Sequence, residues 1–235
     1  MQVIIDIETV PGQTQTAKDA ARAGIKPPAT LKKADSIAAW WAEEADKAAE
    51  EAYNRQGLDG GNFGEIVSIA AVTDSGQTWT HCRTQQESES SLLARFSDVV
   101  QGWLDAAAMQ GPDGRAWPIG EPFFIAHNAA FDMGFLWRRC IVNSVKLPFR
   151  IPNPSARAGQ HYGDTMTLWA GWGQRVSLDT LCRVLGVDSP KAEGFDGSQV
   201  HAAWLAGEYE RIAAYNLADA QATAEVWHRL NGGRA

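Results

Sequence analysis

The stretch that most limits what this chain can become is its first strand. Val3-Ile4-Ile5-Asp6-Ile7-Glu8-Thr9 is an almost unbroken apolar run that carries carboxylates at i and i+2. Such a run fits a central, well-buried strand. Alternate strand residues share a face, so Asp6 and Glu8 project together. Two neighbouring acids repel, and burying them without a partner is costly. Either a local cation compensates them or the strand ends early and both acids meet solvent. Hard divalent ions such as Mg²⁺ and Mn²⁺ favour oxygen ligands of this kind.

After Gly12 the strand pattern breaks, and residues 13–62 read as inserted: a polar lead, then a helix over about 36–56, then a turn at Asp59-Gly60-Gly61-Asn62. Ile66–Val72 and Gln77–Arg83, joined through Gly76, form a predicted hairpin. Residues 88–108 have helical periodicity, and Gly111–Pro122 is a loop. A short apolar strand, Phe123–Ala126, runs into His127-Asn128-Ala129-Ala130-Phe131-Asp132 and a helix to about Val142. Asn128 stands at the N-cap position and Asp132 in the first turn. A strand ends at 163–166, a helix over 177–185 closes at Gly186, and a loop covers 190–198. A short helix over 200–205 precedes a long one over 208–230. On that last helix the apolar stripe of Ile212, Tyr215, Val226 and Leu230 is interrupted by Asp219. Tyr215 precedes Asp219 by four residues, which puts both on one face. An inward-facing acid there fits either a simple bond to Tyr215 or a functional site.

With 235 residues, 45% hydrophobic and 21% charged, the chain can hold one α/β domain with an insertion. Cys82, Cys140 and Cys182 are odd in number and far apart, which argues against a disulfide frame or zinc knuckle and fits a reducing cytoplasm. No signal peptide or membrane-length apolar run is present, so a cytoplasmic location without membrane contact is expected. The net charge of −7 argues against broad, non-specific nucleic-acid binding. Arg138, Arg139, Lys146, Arg150 and Arg157, with no acid between Asp132 and Asp164, fit a local phosphate track or a solvated loop equally.

Taken together, Asp6-Ile7-Glu8-Thr9, His127–Asp132 and Tyr215-Asn216-Leu217-Ala218-Asp219 resemble the three motifs of the DEDD superfamily of 3′–5′ exonucleases. The histidine branch of that superfamily would place His where Ala214 stands, so the chain resembles the tyrosine branch. It is most similar to stand-alone proteins related to the proofreading domain of family B DNA polymerases. The resemblance covers nearly everything outside 13–62. It implies an RNase H-like α/β fold, a mixed five-stranded sheet flanked by helices, as a single domain over 1–235. The first strand would be central and the hairpin to one side.

The resemblance also implies two Mg²⁺ or Mn²⁺ ions. Asp6 would bridge them, Glu8 and Asp219 would complete the nucleophile-side site, and Asp132 would hold the second ion through water. Tyr215 would orient the attacking water. Thr9 would touch the terminal sugar, while Asn128 and Phe131 would line the terminal nucleotide pocket. His127 reads as a packing or hydrogen-bonded residue rather than a ligand. The implied reaction is phosphodiester hydrolysis from DNA 3′ ends or single-stranded DNA, releasing nucleoside monophosphates. Any proofreading would serve a polymerase or repair partner in trans. Two alternatives remain: trimming of RNA by the same site, and an inactive nucleic-acid-binding module.

Overall fold

The computed structural model describes residues 1–110, 116–117, 120–190 and 194–232. Most of the loop expected over 111–122, and residues 191–193 of that over 190–198, lie outside the described residues. Two compact units emerge, one of Met1–Glu8 with Ile66–Ala235 and one of Thr9–Glu65.

The larger unit is built on a five-stranded sheet in the order β3-β2-β1-β6-β7. These strands are β1 (Gln2–Val10), β2 (Glu65–Thr73), β3 (Thr78–Cys82), β6 (Phe123–Ala126) and β7 (Gly163–Asp164). A separate antiparallel pair joins β4 (Met109–Gln110) to β5 (Ala116–Trp117). In the main sheet β2 and β3 are antiparallel, whereas β1, β6 and β7 run parallel with Ile4 opposite Ile125 and Ala126 opposite Asp164. The first strand is therefore central, with the hairpin on one side.

Side-chain alternation along β1 sorts the two faces. Val3, Ile5 and Ile7 join a core with Leu92, Phe96 and Val100 of α4 (Glu89–Ala107) and Met133, Phe135 and Leu136 of α5 (Ala129–Val142). Ile4 faces the other way, packing with Ala70, Val72, Ile125 and Ala220 of α9 (Tyr209–Leu230). Asp6 and Glu8 share the parity of Ile4, so they belong to the face covered by α9. Burying each apolar side chain contributes about 1.5–3 kcal/mol, which is what holds this helix over the acids.

Among the described residues, three further helices belong to the unit. α6 (Thr165–Ala170) begins where the sequence predicts a continuing strand. Its cause is Asp164, whose carboxylate accepts from the Met166 and Thr167 amides and so ends β7. α7 (Leu178–Leu185) is capped by Ser177 and closed by Gly186 at φ 68, a left-handed position that suits glycine. α8 (Val200–Leu205) follows a short 3₁₀ turn over Gly197–Gln199.

In the smaller unit the polar lead contains a helix, α1 (Gln15–Gly24), capped by the Thr14 hydroxyl. The single helix predicted over 36–56 is two, α2 (Ala34–Glu43) and α3 (Ala45–Asn54), followed by a 3₁₀ turn, Arg55–Leu58. The break lies at Glu44. α2 buries nothing, whereas α3 packs on α1 and buries Ala45. Gln56 ties the unit together, donating to the Ala17 carbonyl at 2.7 Å and accepting from the Gly12 amide at 3.3 Å.

Candidate active site

Three of the four predicted acids meet. Asp6 and Glu8 from β1 and Asp219 from α9 each offer a carboxylate oxygen, and these atoms lie within 4.8 Å of one another. Burial raises the Asp6 and Glu8 carboxyls well above the usual range, and the charges of Asp219 and Asp132 push them further. This is an arrangement that repels itself and whose hard oxygen donors suit a divalent cation.

Asp132 is not in that group of three. It is buried at the start of α5, and its carboxylate accepts hydrogen bonds from its own amide and from the Ile7 amide. Its charge still reaches Asp6 and Glu8. Burial raises its own carboxyl as well, with the amide bonds opposing the shift.

The Tyr215 hydroxyl bonds the Asp219 carboxylate, as spacing of four on one helix allows. Burial, followed by the surrounding carboxylates, pushes its phenol well up, so it stays protonated and donates. Phe195 meets the Tyr215 ring edge-on, with centroids 5.1 Å apart, and the Arg211 guanidinium lies 4.5 Å above Phe195. A cavity of about 560 Å³ opens beside this cluster, lined in part by Phe195, Arg211, Tyr215 and Gln221.

The expected substrate residues are more dispersed. Asn128 is exposed and left-handed, φ 64 and ψ 44, and its side chain forms no capping bond. The cap predicted for it is therefore absent. Its amide instead donates to Asp164 at 3.1 Å, which fixes the turn between β6 and α5. Phe131 is half-buried against Phe135, with ring centroids 5.0 Å apart. Thr9 donates its hydroxyl to the Gly57 carbonyl, leaving only lone pairs for another partner.

His127 uses both ring nitrogens, Nδ1 with the Thr165 hydroxyl and Nε2 with the Val176 carbonyl, each at 2.9 Å. A carbonyl only accepts, so Nε2 carries the proton and no nitrogen is left for a ligand. Burial lowers its pKa and keeps it neutral. The predicted basic track is reduced: Arg139 is buried and paired with Glu89, and Arg150 pairs with Glu121.

Sequence reasoning overlooked Asn216. It is fully buried and donates to Asp6 Oδ2 at 2.6 Å, while accepting from Ser68 Oγ at 2.8 Å. A helical step of four from the buried Ile212 lands on Asn216, and that was the available signal.

A family model described as "Predicted 3'-5' exonuclease related to the exonuclease domain of PolB" matches residues 117–234. The chain belongs to this family of predicted PolB-like exonucleases. The matched segment holds Asn128, Phe131, Asp132, Tyr215 and Asp219, while the β1 acids precede it. Among solved structures, this PolB-like chain is similar to the family B DNA polymerase from the hyperthermophilic archaeon Pyrobaculum calidifontis, at 16% identity and a TM-score of 0.52. The likeness covers 72% of this chain and 22% of the polymerase, so the chain spans about a fifth of the polymerase's length. The shared architecture is the RNase H-like one expected from the motifs. No curated protein matches the chain.

Proposed function

We propose that the protein is a divalent-metal-dependent 3′–5′ exonuclease that removes nucleoside monophosphates from DNA. One observation carries this reading: the convergence of Asp6, Glu8 and Asp219, with the Tyr215 hydroxyl bonded to Asp219. Asp6, Glu8 and Asp219 would hold one Mg²⁺ or Mn²⁺. Asp6 and Asp132 would hold a second, Asp132 through water as the family resemblance implies. Such ions, when bound, supply charge neutralisation and an activated water.

Tyr215, kept as a phenol whose one proton goes to Asp219, orients the nucleophile by accepting a hydrogen bond from it through its oxygen lone pairs. Asn128 and Phe131, side by side with Asp132 at the start of α5, line the terminal nucleotide pocket, and Thr9 offers its lone pairs to the sugar. Likeness to a DNA polymerase favours DNA over RNA as substrate. Residues 13–62, which fall within the Thr9–Glu65 unit, are read as an insertion into a single exonuclease domain.

The test is incubation of the protein with 5′-labelled single-stranded DNA or RNA in Mg²⁺, Mn²⁺ or EDTA. A descending ladder from DNA is expected with metal and none with EDTA. Asp6→Ala and Asp219→Ala proteins should remain folded and be inactive. Cleavage that persists in EDTA or in Asp219→Ala overturns the reading, and preferential loss of RNA replaces the substrate.

A further inference from the structure

A buried relay crosses three elements to reach Asp6. Ser68 on β2 donates to Asn216 on α9, and Asn216 donates to Asp6 on β1. Ser68 and Asn216 have no solvent exposure. The direction of each bond follows from the chemistry. Ionised, as a bound cation would keep it, the Asp6 carboxylate only accepts, so the amide turns its NH₂ toward Asp6 and its carbonyl toward Ser68. Ser68 answers with its hydroxyl proton. Turned the other way, the amide would set its carbonyl against the Asp6 carboxylate. The carboxylate therefore sets which way the amide faces, the serine hydroxyl satisfies and anchors the amide carbonyl, and the amide removes the freedom of the carboxylate to rotate.

A residue whose only task was packing between β1, β2 and α9 would be served better by an apolar side chain, since burying an amide is unfavourable unless its bonds are made. The Asn216 side chain makes both bonds, with Ser68 and with Asp6. We propose that Asn216, aligned by Ser68, is a positioning residue that ties Oδ2 of Asp6 and so presents Oδ1 to a divalent cation. This rests on the reading of Asp6 as a metal ligand. Outer groups that orient ligands typically contribute about 10–100-fold in metal affinity or activity.

The test uses Asn216→Leu, which keeps volume but has no donor, and Ser68→Ala, which leaves the amide but removes the bond that anchors its carbonyl. Mn²⁺ alone is titrated against each protein by thermal melting, without substrate, and turnover of single-stranded DNA is measured separately. The expected result is a Mn²⁺ midpoint raised about 10–100-fold in Asn216→Leu, a smaller rise in Ser68→Ala, and lower kcat with unchanged KM for the strand. A merely structural role would lower both melting temperatures in EDTA and leave the Mn²⁺ midpoints and kcat at wild-type values, which overturns the inference. Should Asn216→Leu not fold, Ser68→Ala decides alone by the same criterion. A wild-type protein that Mn²⁺ does not stabilise and that leaves 3′ ends intact fails at the proposed function itself, before any variant is compared.

Discussion

At Tyr215 one oxygen atom separates catalysis from packing. The ring is held by Phe195, and the hydroxyl bonds Asp219. Tyr215→Phe keeps the ring and removes only the hydroxyl. If that hydroxyl orients the attacking water, the single-turnover rate should fall by about 10²–10⁴-fold, the range of positioned proton-handling groups. Affinity for Mn²⁺ and for the strand should change little. If the hydroxyl only ties α9 together, turnover stays at the wild-type level and stability changes by about 1 kcal/mol. Single-turnover kinetics beside thermal melts of the same variant distinguish the two, and a wild-type rate removes Tyr215 from the mechanism.

Among the elements, the joint between α4, α5 and β2 is made by one buried acid. Glu89 accepts from Arg139 Nε at 3.0 Å and Nη2 at 2.6 Å, from Asn143 at 2.7 Å, and from the Ile66 amide at 2.8 Å. Glu89→Ala leaves a buried guanidinium uncompensated and should cost about 3–5 kcal/mol. Urea denaturation measures this, and a loss below about 1 kcal/mol would place the pair in the class of surface ion pairs. This joint supports α5, and through it Asp132.

Nothing in the spacing of Glu89 and Arg139 announces that they meet, because a pairing across 50 positions leaves no periodic signal. The same holds for Asn216 with Asp6. What could be read were local rules: the alternation of β1, the glycine stop of α7 and the helical spacing of Tyr215 and Asp219. α1 escaped notice because its buried residues are alanines, Ala17 and Ala21, rather than large apolar side chains. The break at Glu44 escaped because the periodicity of α2 and α3 is continuous while their burial is not. Asp132 is expected from the sequence as a site acid, but its hydrogen bond with the Ile7 amide depends on where α5 docks.

Over the whole molecule, the acid cluster sets a sign for stability against pH. Asp6, Glu8 and Asp132 have raised carboxyl pKa values in the folded state, so folding favours their protonated forms. Their contribution to stability is fully present below the unfolded values near about 4 and is lost as pH rises through the folded ones. Glu87 is lowered and acts in the opposite sense, with its His81 and Arg95 contacts outweighing burial. Subtracting the melting temperatures of Asp6→Asn from wild type in EDTA isolates the cluster. The variant should gain on wild type as pH rises from about 4 to 8, and saturating Mn²⁺ should close the gap by stabilising the wild type. A difference that does not change with pH would mean that Asp6 is not strained by its neighbours.

The contact between Asp6 and Asn216 joins residues 210 positions apart. A chain made from its N-terminus exposes both β1 acids long before α9 exists to face them. Contacts of such long range close late, since the entropy of the intervening loop opposes them until much of the fold is in place. Secondary structure can thus form well ahead of chemical competence. On refolding from urea, the helical circular-dichroism signal should return first and cleavage of a labelled strand should lag behind it. Simultaneous recovery would mean that β1 and α9 meet in the first cooperative step.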